Sequence, residues 1–135
     1  GSGTTAVVAA RTGRSYIAAD SSFRAVHTTR RRLCSLPAKP FSMERELGAG
    51  TTYRNGDLPS VKRTPESVTI QRKSDLDYWE VDPAWDGSLF RSAAQAQRPR
   101  GDDDLPLEMK IRTGRRACVR FVTSGVEVMQ RELDV

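Results

Sequence analysis

Glycine and proline decide how far any regular structure can run in this chain. Between Ser35 and Pro65 they fall at Pro37, Pro40, Gly48, Gly50, Gly56, Pro59 and Pro65, close enough to interrupt any period within a few residues. The chain is thereby divided into 1–34, 35–65 and 66–135. Hydrophobic residues are 37% of the sequence, so the core is expected to be modest. The middle stretch reads as a linker in which Pro40–Leu47 has room for one or two helical turns. Gly48-Ala49-Gly50 lacks a buried strand before it and a long helix after it, so it does not read as a phosphate loop.

The opening stretch has a different logic. Gly1-Ser2-Gly3-Thr4-Thr5 is a tight glycine turn that runs into Ala6–Ala10, small enough for a helix packed closely on a sheet. Gly13 supplies a helix stop, and Tyr16–Ala19 reads as a short buried strand ending on Asp20. This order is the core of a nucleotide-type site: the glycines let backbone approach a ligand, and the acid accepts hydrogen bonds from ribose hydroxyls. The strand that should lead into the turn is missing, so the chain is expected to begin inside the motif. Gly-Ser-Gly is also a common cloning remnant, and on that alternative the turn holds no ligand. Ser21 or Ser22 can cap a second helix reaching about Leu33, with Phe23, Val26 and Leu33 toward a sheet. His27 lies beside that face and reads as a packing or surface residue. Cys34, just past a run of arginines, reads as structural.

Residues 1–33 resemble the S-adenosylmethionine-binding segment of amino-group DNA methyltransferases, and more narrowly the type III modification-subunit-like branch. In that family the motif reads Phe-x-Gly-x-Gly-Thr-Thr, a helix, Gly-Arg-x-aromatic-Ile-x-x-acid, then a basic helix. Gly1 and Gly3 match the glycines, Thr4 and Thr5 the threonine pair, Gly13-Arg14 the turn, and Asp20 the acid. The resemblance implies S-adenosylmethionine as cofactor, approached by Gly1, Ser2, Gly3, Thr4 and Thr5, with Asp20 holding its ribose and Ser21 along its adenine. It implies methyl transfer to the N6 of an adenine flipped out of double-stranded DNA, by direct attack on the methyl sulfonium with no covalent nucleophile.

Charge is uneven in a way that bears on this. Residues 1–33 carry six arginines against Asp20, a surplus of five, whereas the other 102 residues carry 16 basic and 16 acidic groups. A basic surface gathers polyanions in a salt-dependent manner. The alternative is a solvated helix end, since Arg30–Arg32 lie where cations meet the C-terminal dipole.

After Pro65 the pattern becomes β-rich, with strands expected at Ser67–Arg72, Asp77–Val81, Ser88–Gln97, Leu107–Ile111, Ala117–Val122 and Val126–Leu133. Gly114 and Ser124-Gly125 are plausible hairpin turns. The acidic run at Gly101–Asp104 lacks the later glutamate of a calcium loop. Asp82-Pro83-Ala84-Trp85 approximates the Asp-Pro-Pro-Tyr/Trp catalytic loop of amino methyltransferases, whose aromatic ring stacks on the flipped base. That loop should follow a buried parallel strand, yet Leu76–Val81 alternates like a half-exposed antiparallel one. Asp77-Tyr78-Trp79-Glu80-Val81-Asp82 and Phe90-Arg91-Ser92 instead resemble the β-rich tail of some type III-like methyltransferases. No catalytic residue is therefore assigned; Asp82, Pro83 and Trp85 stand only as an alternative, and the catalytic loop is expected upstream of Gly1.

Two cysteines, Cys34 and Cys118, and one histidine make neither a disulfide framework nor a credible metal site, and fit a cytoplasmic setting. No apolar run approaches the roughly 20 residues needed to span a bilayer. The expected fold class is α/β: a partial Rossmann-like S-adenosylmethionine-binding fragment (1–34), a linker (35–65) and a small antiparallel β-rich C-terminal domain (66–135). The expected function is a site-specific DNA adenine-N6 methyltransferase present as a C-terminal fragment. Its partners would be double-stranded DNA and a restriction subunit or homodimer partner, with no membrane. The alternatives are an N4-cytosine DNA methyltransferase, a different motif order using Asp82–Trp85, or a non-catalytic β-rich interaction module with a basic arm.

Overall fold

Two helices come first and seven strands follow: α1 (Thr4–Arg11), α2 (Phe23–Cys34), β1 (Val61–Arg63), β2 (Ser67–Ile70), β3 (Leu76–Asp82), β4 (Ala94–Gln97), β5 (Glu108–Lys110), β6 (Arg116–Thr123) and β7 (Val128–Asp134). The computed structural model describes residues 1–37, 39–44, 58–72, 74–99, 104–125 and 127–134. The chain divides into two units, Gly1–Gly50 and Thr51–Val135.

In the first unit α1 and α2 pack on each other. Ala6 and Val7 are buried on α1, and His27, Arg30 and Leu33 on α2. The small side chains of α1 suit such close packing. At its end Gly13 takes φ 69°, and the N–H groups of Gly13 and Arg14 reach back to the carbonyls of Ala10 and Ala9. Ser22 is the N-cap of α2, but its hydroxyl does not cap; the carboxylate of Asp20 accepts the Ser22 N–H instead. His27 stacks on Phe23, ring centroids 6.2 Å apart, and its Nδ1 lies 2.8 Å from the guanidinium of Arg30. It is a packing residue.

The strand expected at Tyr16–Ala19 does not form. Residues 14–20 carry no regular structure, and Ile17 is 102% exposed. A strand exists only through its ladder, and no other strand is present among the described residues of this unit. The chain is thus mixed α/β with antiparallel sheets, and the described residues of the first unit show two helices and no sheet.

The second unit contains two antiparallel sheets, ordered β1-β2-β5 and β4-β3-β6-β7. Pro65 pre-sets the turn from β1 to β2, closed by the Thr64 N–H on the Ser67 carbonyl at 2.8 Å. Val68, Ile70 and Met109 from the first sheet join Trp79, Val81, Ala96, Val119, Phe121 and Met129 from the second in one apolar cluster. Each large side chain buried there contributes about 1.5–3 kcal/mol. Trp79 also satisfies its indole N–H on the Pro106 carbonyl at 2.8 Å.

β3 is organised by an irregularity. Its pairing with β6 shifts register between Leu76 and Tyr78, a bulge that leaves Leu76 and Trp79, three residues apart, both in the core. Tyr78, Glu80 and Asp82 then occupy the opposite face, where they are also buried. The half-exposed strand expected from the alternating sequence is therefore buried at every position but Asp77, which is half-buried. Glu80 accepts from the Tyr78 hydroxyl at 3.0 Å and pairs with Arg120 at 3.6 Å, so its charge is compensated.

Most strand bounds fall within two residues of those read in the sequence, and the larger differences are these. β1 lies inside the stretch taken for linker. β4 begins at Ala94, not Ser88, because residues 83–93 form a loop. Pro40–Glu44 is irregular, while the rest of that expected turn, Gly48–Gly50, Asn55-Gly56 and residues 101–103 of the acidic run lie outside the described residues.

Candidate functional site

Gly3 is where sequence and geometry meet most tightly. It is the N-cap of α1 in the left-handed region, φ 73° and ψ 22°. A Cβ here would fall within the van der Waals envelope of the Thr29 side chain on α2. Both the turn and the close approach of the helices therefore require glycine. The first turn of α1 has no acidic residue and no side-chain cap, which leaves its N–H groups without a side-chain acceptor.

Asp20 comes to this turn from nineteen residues away. One carboxylate oxygen accepts from the Gly1 amino group and the other from the Ser22 N–H at 2.8 Å. These two bonds, the Gly1 contact first, hold the Asp20 carboxyl below the usual carboxylate range. The extended segment between the helices thus returns the acid to the glycine turn although it forms no strand. Ser21 is exposed beside it.

Arg32 closes the other side. Its guanidinium donates to the Ser2 carbonyl at 2.6 Å and lies 3.3 Å from the Thr4 hydroxyl, which is itself 3.2 Å from the Ser2 hydroxyl. Gly1, Ser2, Gly3, Thr4, Asp20 and Arg32 are therefore one constellation: an ionised acceptor, an uncapped helix N-terminus and a cation. Sequence reading placed Arg32 only in a basic run. It lies nine residues, two and a half turns, beyond Phe23 and so on the opposite side of α2, and only the packing of the two helices decides where it reaches.

The alternative site has the opposite character. Asp82 is 1% exposed, with its oxygens accepting from the N–H groups of Ala84 at 3.0 Å and Arg91 at 2.7 Å. Trp85 is buried, its ring 6.1 Å from that of Phe90, and Arg120 lies 4.0 Å above the Phe90 ring. A ring that receives a flipped base must stand open, and a carboxylate that orients an amino group must present an oxygen. Asp82 instead fastens both ends of the loop between β3 and β4, Trp85 packs against Phe90 within it, and the Pro83 carbonyl accepts from the Gly114 N–H.

Elsewhere a groove of about 230 Å³ is lined by Arg72, Ser74, Arg98, Asp104, Leu105 and Leu107. Its cations are engaged: Arg72 grips Asp104 through two bonds of 2.6 and 2.7 Å, and Arg98 donates to the carbonyls of Leu76 and Ser74. Cys118 is buried and its thiol is pushed up to about 12, first by burial and then by Glu132, so it is no nucleophile. Among the described residues no three His, Cys, Asp or Glu side chains gather in a metal-binding group. No helix among them is long and apolar enough to cross a membrane.

No family model, curated protein or solved structure matches this chain.

Proposed function

We propose that this chain belongs to an S-adenosylmethionine-dependent amino-group DNA methyltransferase acting on adenine N6, with residues 1–34 holding the cofactor. The observation that carries the reading is the left-handed Gly3 turn at the uncapped start of α1, with the Arg32 guanidinium held beside it on Ser2 and Thr4. A nucleoside with an amino-acid tail has two ends to satisfy. Asp20 would exchange its present donors for ribose hydroxyls, and Ser21 would lie along the adenine. The helix N-terminus with Thr4, Thr5 and Arg32 suits a carboxylate. The closed state of Asp82 and Trp85 favours a catalytic Asp-Pro-Pro-Tyr loop outside these residues. DNA, and a restriction subunit or second copy, are the partners this reading implies, in a cytoplasmic setting.

A second reading, a non-catalytic interaction module, draws on the self-contained core of residues 51–135. The two separate by amide chemical-shift mapping of the 135-residue chain with S-adenosylhomocysteine at millimolar concentration. The methyltransferase reading expects the Gly3–Thr5 and Asp20–Ser22 amides to move in the wild type and not in Asp20→Ala. If they stay still in the wild type, the second reading takes its place.

A further inference from the structure

We propose that the solvent face of the β1-β2-β5 sheet, continued by the β5–β6 loop, is a docking surface for the phosphate backbone of duplex DNA. Residues 61–70 and 107–116 hold six basic side chains (Lys62, Arg63, Lys110, Arg112, Arg115 and Arg116) against two acids, Glu66 and Glu108. Residues 51–135 as a whole carry fourteen of each sign. Arg63 and Arg116 are engaged elsewhere, which leaves Lys62, Lys110, Arg112 and Arg115 exposed against Glu66 and Glu108, a surplus of two on the sheet and its loop.

Register explains how the cations come to one side. Val61, Val68, Ile70 and Met109 contribute to the core, so the alternate positions face outward. Lys62 stands opposite Thr69, and Ser67 opposite Lys110. An ammonium on each outer strand therefore flanks the hydroxyls of Ser67 and Thr69 on the central one, donors suited to phosphate oxygens, with Glu108 opposite Thr69 as the acid of this face. The outward residues of these strands include no apolar side chain, which deprives the face of the apolar centre a protein interface needs.

The loop beyond β5 is held rather than loose. Arg63 donates to the Thr113 hydroxyl at 2.6 Å, to the Gly114 carbonyl, and to the Arg115 carbonyl at 3.3 Å. The Gly114 N–H reaches the Pro83 carbonyl at 2.7 Å and the Ile111 N–H the Glu66 carbonyl at 2.9 Å. Arg63 is thereby spent on structure, and Arg116 on Glu132 and Asp134 at 3.0 and 3.4 Å. Arg112 is different: its side chain is 88% exposed and 3.9 Å from an equally open Glu66, a pairing that a phosphate would readily replace. Arg115 is exposed on the same buttressed loop. A duplex offers repeated charge that several fixed cations can engage at once, releasing counterions as they do. The choice of DNA among polyanions rests on the function proposed above; the charge argument stands without it.

The test is fluorescence anisotropy of a labelled 20-base-pair duplex of arbitrary sequence with the 135-residue chain, from 50 to 200 mM NaCl. The wild type should bind with a dissociation constant of about 1–100 μM that weakens steeply with salt. The exposed triple variant Lys62→Ala/Lys110→Ala/Arg115→Ala should bind about tenfold or more weaker, with a log–log salt slope shallower by about 2.7, at about 0.9 per lost phosphate contact. A matched variant, Arg11→Ala/Arg14→Ala/Arg24→Ala, should keep wild-type affinity within about threefold. The proposal is overturned by an absence of salt-dependent binding in the wild type, by an unchanged slope in the first variant, or by loss of binding in the second alone. Cofactor shifts at Gly3 and Asp20 are read without DNA, so failure of that reading is distinguishable from failure of this one.

Discussion

Oδ2 of Asp82 accepts a 2.7 Å hydrogen bond from the backbone N–H of Arg91, closing a loop of which Trp85 and Phe90 are the apolar contents. Oδ1 accepts from Ala84 at 3.0 Å, so one buried carboxylate fixes both ends of the segment. The Asp-Pro-x-Trp sequence that suggests catalysis is in this chain a fastening of the loop to the strand it leaves.

Asp82→Ala removes both acceptors while leaving two donors in a buried site. Bonds to a charged acceptor contribute about 1.5–3 kcal/mol each, partly regained if the loop takes up water. A loss of about 3 kcal/mol is expected in urea unfolding followed by tryptophan fluorescence, which reports on Trp79 and Trp85 in this unit. Asp82→Asn retains one acceptor and should recover about half. A cost under about 0.5 kcal/mol for the alanine variant would mean the loop is held by something else.

Gly3→Ala should separate two costs. The left-handed backbone penalises a side chain by about 1–2 kcal/mol, and the Thr29 contact adds a steric term. Thr29→Ala on the second helix removes only the latter. The double variant should therefore be less destabilised than the two single effects combined, with thermal unfolding followed by helical circular dichroism at 222 nm. Strict additivity would contradict the close approach of α1 to α2 at this glycine.

Much of the β unit is legible in the sequence because period-2 alternation and turn chemistry are local. Val68 and Ile70, the β6 run ending at Val122 and the turn at Ser124-Gly125 follow from neighbours alone. What is not legible depends on distance. β1 is three residues long and gains its identity only by pairing with β2. Glu80 belongs to a stretch that reads as a half-exposed strand, yet it is buried, with the Tyr78 hydroxyl and Arg120 as its partners. Likewise, Tyr16–Ala19 has the composition of a strand but no ladder to join. In the candidate site, Gly3 and Asp20 were legible as a spacing. Arg32 was not, because no local rule says which α2 arginine reaches the glycine turn.

Cys118 gives an alkaline signature. Its thiol is pushed up from 9.0 to about 12 in the folded chain. Between these values the unfolded chain releases a proton that the folded chain keeps, so stability falls as pH rises from 9 toward 12. The contribution is fully present below 9.0. The slope from this group approaches about 1.4 kcal/mol per pH unit. Cys118→Ala should flatten the stability–pH curve by that amount in this window and nowhere below it. In the native wild type at pH 8, a thiol reagent should modify the half-buried Cys34 well before Cys118.

Asp20 makes the acid-side counterpart, and it bears on the cofactor reading. Its carboxyl is held below its ordinary 3.8 by the Gly1 amino group first and the Ser22 N–H second. A depressed value means that these contacts are fully formed above 3.8 and are lost as pH falls through the folded-state value. The Ser22 amide resonance should therefore titrate with a midpoint below 3.8 and become flat in Asp20→Asn. Because the carboxylate is ionised throughout about pH 5 to 8, ribose-directed binding at this site should be constant over that range. A midpoint at or above the ordinary value would show that the acid does not hold the Ser22 N–H at the start of α2.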